Sequence, residues 1–143
     1  MSASPSSPPI AYADTNLFVS LFADARHPLH EPALALFTRV AEGRLRLIVT
    51  SVIVAELFYA AGTVLGWKRT VTADRITGLL EADGLIVPEA AVLARACALY
   101  GADPRLDFAD AYLAANGLEA GPPTVASFDA DLDRIPGIQR LST

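Results

Sequence analysis

The chain is 143 residues long, 52% hydrophobic and 19% charged, with a formal net charge of −5. That length suits one domain with a core of its own. The acidic balance excludes a protein drawn to nucleic acid by its overall field, and the single cysteine, Cys97, excludes an intrachain disulfide.

The first nine residues, rich in Ser and Pro, carry neither a basic segment nor an apolar one, and read as a disordered tail rather than a signal peptide. The single domain is expected over 10–143. Ile10 to Ala13 is a short apolar run ending in Asp14-Thr15-Asn16, the pattern of a buried strand that delivers polar residues at its C-terminal end. LFVSLFADA begins a helix. His27 and His30 flank Pro28 in a loop, at a spacing that matches no common metal-ligand pattern, and read as solvent-exposed. A second helix follows, with Pro32 in its first turn, Leu34, Phe37 and Ala41 on one face, and Gly43 as its stop.

Leu47 to Trp67 is almost wholly apolar and long enough to span a bilayer. Glu56 near its middle is costly there. The run divides instead into a strand, the pair Thr50-Ser51, and a helix from about Val52 with Ser51 as its N-cap. Further helices are expected over TVTADRITGLLEADG and EAAVLARACALYGA, with LIVP as a short strand between them. Cys97 falls in the second of these and reads as a small buried hydrophobe. DFADAYLAANG is a helix capped by Asp107 and closed by Asn116-Gly117. TVASFD is a strand ending in Asp129, and the chain closes in a turn or short helix and an edge strand. Apolar strands alternating with helices predict an α/β fold: a central parallel sheet of about four to five strands between helices, in three α/β/α layers. Sites in such folds lie beyond the carboxyl ends of the strands.

Acids punctuate the apolar runs: Asp14 ends the first strand, Glu56 lies on the helix after the second, Asp107 and Asp110 open a late helix, and Asp129 and Asp131 follow the last clear strand. Each has an ordinary explanation. Asp107 and Asp110 suit a helix N-terminus, Asp129 and Asp131 a turn, and Asp14 an Asx-turn. Glu56, within an apolar run, requires a partner. Jointly the acids imply a carboxylate cage, whose like charges call for a cation. Oxygen-only ligands suit Mg²⁺ or Mn²⁺, one or two ions. Such a site serves phosphoryl chemistry, where the ion activates water and stabilises a leaving oxygen.

At these residues the sequence resembles the PIN-domain ribonucleases, and among them the VapC-like toxins of toxin–antitoxin pairs. The matching pieces are ADTN at 13–16, VTSVIVAEL at 49–57, DFADAYLAA at 107–115 and SFDADLDRIPGI at 127–138. Two departures are the Ser/Pro-rich tail and Ser127 where the family often has Thr. The resemblance implies a Mg²⁺/Mn²⁺-dependent endoribonuclease with Asp14, Glu56, Asp110 and Asp129 as metal-binding catalytic acids. It makes Asp107 and Asp131 accessory acids, with Thr15 and Ser127 as hydroxyls beside them. It also implies an RNA substrate, a cognate antitoxin protein, a homodimer, and a cytoplasmic location without a membrane. Arg69, Arg75 and Arg105 are candidates for RNA phosphate contacts, against the plainer reading of solvated surface arginines. A phospho-acceptor receiver domain needs a late lysine beside its acids, and the one lysine, Lys68, comes too early. A non-toxin nuclease of the same family and a catalytically silent RNA- or partner-binding module of the same fold are the remaining alternatives.

Overall fold

The computed structural model describes residues 7–141. Residues 1–6 of the expected tail lie outside the described residues. The elements run β1 (Ile10–Tyr12), α1 (Thr15–Phe22), α2 (His30–Ala41), β2 (Arg46–Ile48), α3 (Ser51–Thr63), α4 (Arg69–Leu80), β3 (Leu85–Ile86), α5 (Ala90–Ala102), α6 (Phe108–Ala120), β4 (Thr124–Val125), a 3₁₀ turn (Ala130–Arg134) and β5 (Gln139–Arg140).

The strands form two small parallel sheets, not one of four or five. One has the order β1-β2-β3 and the other pairs β4 with β5. Ala11 pairs with Leu47, and Leu47 with Leu85. Two proline pairs help to explain the reduced extent. Pro8-Pro9 and Pro122-Pro123 stand immediately before β1 and β4, where a proline has no N–H for a ladder. β1 is an edge strand, and its side chains are solvent-exposed, with Ile10 at 55%.

Two clusters of buried side chains hold the elements. The larger gathers Phe18, Val49, Val54, Leu57, Ile76, Leu93, Cys97 and Phe108. The smaller gathers Leu106, Ala114, Val125, Leu132, Ile135 and Ile138 under the second sheet. Phe58 of α3 stacks on Phe108 of α6 with centroids 4.3 Å apart, and meets Tyr100 of α5 edge-on at 4.7 Å. Fully buried alanines, Ala96 on α5 and Ala111, Ala114 and Ala115 on α6, let the helices approach closely.

Several local expectations are corrected. On α2 the buried residues are Ala33 and Val40, while Leu34 and Ala41 face solvent. His30 opens α2 rather than lying in the loop, and its ring Nδ1 lies 3.1 Å from the Ser20 carbonyl. Thr50, not Ser51, occupies the N-cap of α3, and no side chain caps it. α6 continues past Asn116-Gly117 to Ala120 and ends at Gly121, whose φ is +65°. At Gly117 a side chain would meet the Pro122 carbonyl at 3.0 Å, so this glycine serves close packing rather than termination.

Candidate active site

Because β1, β2 and β3 are parallel, their C-terminal ends share one edge. Asp14 follows β1, α3 starts after β2, and Glu89 follows β3 as the N-cap residue of α5. α6 brings its N-terminal turn to the same edge. A cleft of about 580 Å³ lies between α3 and α6, lined by Thr50, Ser51, Val52, Ala55, Glu89, Phe108, Ala109, Asp110, Tyr112 and Leu113.

Asp14, Asp107 and Asp129 are held by bonds to their own elements, and Glu56 by a bond from another. Asp14 caps α1, its Oδ1 accepting from the Thr15 N–H at 2.8 Å. The Thr15 hydroxyl donates to Glu56 Oε2 at 2.8 Å, across 41 residues of sequence. Although it lies within an apolar run of sequence, Glu56 is on the exposed face of α3. Its neighbours on that face are Val52 and Tyr59, also solvent-facing. Asp107 caps α6 by accepting from the Asp110 N–H at 2.8 Å. Asp129 accepts from the Asp131 N–H at 2.9 Å and gives its own N–H to the Ser127 hydroxyl at 3.0 Å.

Asp110 is the electrostatic centre of this edge. Partial burial, then Asp107 and Asp129, push its carboxyl from an ordinary 3.8 up to about 6. Asp110 thus senses Asp107 and Asp129, while Asp14 and Glu56 are joined through Thr15. The donor chemistry suits a hard divalent cation. Yet among the described residues no three Asp, Glu, His or Cys side chains stand close enough together to hold one. The acids therefore stand as two linked groups, not as one closed ligand shell.

A model of the PIN domain matches residues 11–138. The chain belongs to the PIN domain family. PIN domains are typically metal-dependent nucleases, which hydrolyse phosphodiester bonds. No curated protein and no solved structure matches the chain. No helix among the described residues of this PIN domain is long and apolar enough to cross a membrane.

The three candidate arginines differ in their surroundings. Arg69 donates to the carbonyls of Tyr100 at 2.9 Å, Asp103 at 3.0 Å and Leu106, and its guanidinium lies 3.6 Å over the Tyr100 ring. It is engaged within the fold. Arg75 packs over Trp67 at 4.6 Å. Arg105 is exposed and has no ion-pair partner among the described residues.

Two residues of this edge escape a reading by motif. Glu89 follows the apolar run LIVP just as Asp14 follows its own strand, so the same signal was available. Its carboxylate accepts from Ser51 and Tyr112, which holds it below the usual carboxylate range. Arg140 on β5 pairs with Asp133 at 2.8 Å and reaches the Ser127 carbonyl at 3.4 Å. Nothing local in the sequence announces that contact.

Proposed function

We propose that this PIN domain is a Mg²⁺- or Mn²⁺-dependent endoribonuclease and the toxin of a toxin–antitoxin pair. The observation that carries the nuclease reading is Asp110, a carboxyl raised to about 6 beside Asp107 and Asp129, in a chain of nuclease family. A carboxyl whose ionisation is disfavoured first by burial and then by acidic neighbours marks a place suited to a counter-charge. The resemblance assigns the ion, one or two in number, to Asp14, Glu56, Asp110 and Asp129, whose two groups would have to draw together around it. When bound, the ion supplies charge neutralisation for the phosphate and activation of water.

The chain's own residues supply the rest. Thr15 and Ser127 hold the Glu56 side chain and the Asp129 backbone through their hydroxyls. Asp107 fixes the first turn of α6, which carries Asp110. Asp131 ties its N–H to Asp129. Arg75 and Arg105 are candidates to meet the RNA backbone outside the acids. Arg69 lies beside them with its donors directed into the fold.

The toxin role, the antitoxin, a homodimer and a cytoplasmic setting rest on the likeness of the four sequence pieces to VapC-like toxins. The test is cleavage of RNA by the purified chain with Mg²⁺, with EDTA, and with Asp14→Asn or Asp110→Asn. Cleavage that needs Mg²⁺ and both acids is the expected result, and full activity in EDTA sinks the reading. Growth arrest on expressing the chain alone, relieved by a co-expressed neighbouring reading frame, tests the toxin role.

A further inference from the structure

Glu89 occupies the N-cap position of α5, yet its side chain makes no capping bond. Its Oε1 instead accepts from the Ser51 hydroxyl at 2.5 Å and the Tyr112 phenol at 2.7 Å, and Oε2 lies 2.9 Å from that phenol. Ser51 is the first residue of α3, and Tyr112 stands in the second turn of α6. One carboxylate therefore joins the beginnings of three helices at the acidic edge. Ser51 precedes Glu56 by five residues, and Tyr112 follows Asp110 by two.

α3 and α6 otherwise meet through apolar contacts such as Phe58 on Phe108. Such contacts are strong but not directional. Hydrogen bonds to an ionised carboxylate are directional and roughly twice as strong as neutral ones. The floor of the α3–α6 cleft is where such a bond sets a separation, since Ser51, Glu89, Asp110 and Tyr112 all line it.

Building on the nuclease reading, we propose that Glu89 is a positioning residue. Through Ser51 and Tyr112 it fixes α3 against α6, and so sets the distance across the cleft between the helix bearing Glu56 and the helix bearing Asp110. It acts through its neighbours and touches neither phosphate nor ion.

The test pairs a distance with kinetics. Nitroxides are placed on Val52→Cys and Leu113→Cys, two exposed residues facing each other across the cleft, the native Cys97 being buried. Dipolar broadening is then compared in the parent, Glu89→Gln and Glu89→Ala. A narrow separation in the parent and in Glu89→Gln, broadened in Glu89→Ala, is expected. In parallel, Ser51→Ala and Tyr112→Phe are each expected to lower kcat by about ten- to a hundredfold, with KM held within about twofold. Their combination with Glu89→Ala is expected to cost less than the sum of the parts. Circular dichroism confirms that each variant folds.

An unchanged separation in Glu89→Ala overturns the proposal. So does loss of Mn²⁺ binding in Glu89→Gln alone while Ser51→Ala and Tyr112→Phe bind normally, which would make Glu89 a ligand. A parent chain that cleaves no RNA removes the nuclease reading, and the distance measurement still decides the role of Glu89.

Discussion

The hydroxyl of Thr15 donates to Glu56 at 2.8 Å, so the first residue of α1 holds an acid on the second turn of α3. Thr15 is buried and Glu56 exposed, and the bond therefore reaches from the core out to the edge. An exposed carboxylate is otherwise free to rotate, and this bond removes that freedom. Thr15→Val keeps the shape and removes the donor. Stability is expected to fall by about 1 kcal/mol. With Glu56 in its proposed role, the Mg²⁺ concentration needed for cleavage is expected to rise by about ten- to a hundredfold, as for groups that orient metal ligands. Thr15→Ser should restore both. A stability loss with an unchanged Mg²⁺ requirement would reduce the contact to a structural one.

Asp110 makes stability depend on pH in a predictable sense. Its folded carboxyl is raised from 3.8 to about 6, first by burial and then by Asp107 and Asp129. The folded protein thus binds this proton more tightly than the unfolded chain. The group's stabilising contribution is complete below about 3.8 and is lost as pH rises through about 6. In EDTA, Asp110→Asn is expected to raise Tm at pH 7.5 and to change it little at pH 4. Comparing variant with parent at each pH isolates this group from Glu89, Asp24 and Asp133, whose lowered values act in the opposite sense. The same variant should lose cleavage, and a Tm difference equal at both pH values would contradict the assignment.

Arg69 was a candidate for RNA phosphate on sequence alone, and its surroundings predict a different effect. Its guanidinium ties the end of α5 to the loop before α6 by donating to three carbonyls, and stacks on Tyr100. A lysine offers neither the planar fork nor the stacking face. Both Arg69→Lys and Arg69→Ala are expected to destabilise the fold, by about 1–3 kcal/mol. In denaturant titrations the midpoint should fall, while RNA affinity per folded molecule stays within about twofold. Loss of affinity without loss of stability would return Arg69 to the phosphate contacts.

Most helices were legible because their signals are local. Asp107 caps α6 and Gly43 follows α2, as side-chain chemistry and backbone freedom require. The sheets were less legible. Strands of two or three residues show no alternation, and pairing depends on partners far away in the chain. Ser51 carries a cap signal in the sequence, but its hydroxyl is taken by a competing acceptor, Glu89, 38 residues on. Asn116-Gly117 carries a stop signal that tertiary packing overrides, since α6 is buried through Ala115 and Gly117 admits the Pro122-Pro123 segment. Among the candidate acids, Asp14 and Asp129 stand at the ends of apolar runs and Glu56 within one, so the sequence singles them out as candidates. The link of Thr15 to Glu56 and the coupling of Asp110 to Asp129 arise only in three dimensions.

Phe128 separates Ser127 from Asp129 and is 94% exposed. Tyr59, one turn beyond Glu56, is 74% exposed, and Tyr12, two residues before Asp14, is 75% exposed. Large rings left in water bury little area for the fold, and each lies within three residues of a candidate acid in the sequence. A stacked base is worth about 1–3 kcal/mol on such a face. Phe128→Ala is therefore expected to raise KM for RNA by roughly tenfold or more, with kcat nearly unchanged. Tm should move little, because no buried area is lost. Phe128→Trp should retain affinity, since a larger ring still stacks. An unchanged KM in Phe128→Ala would show that RNA approaches the acids from another side, and the same measurement on Tyr12→Ala and Tyr59→Ala would then locate it.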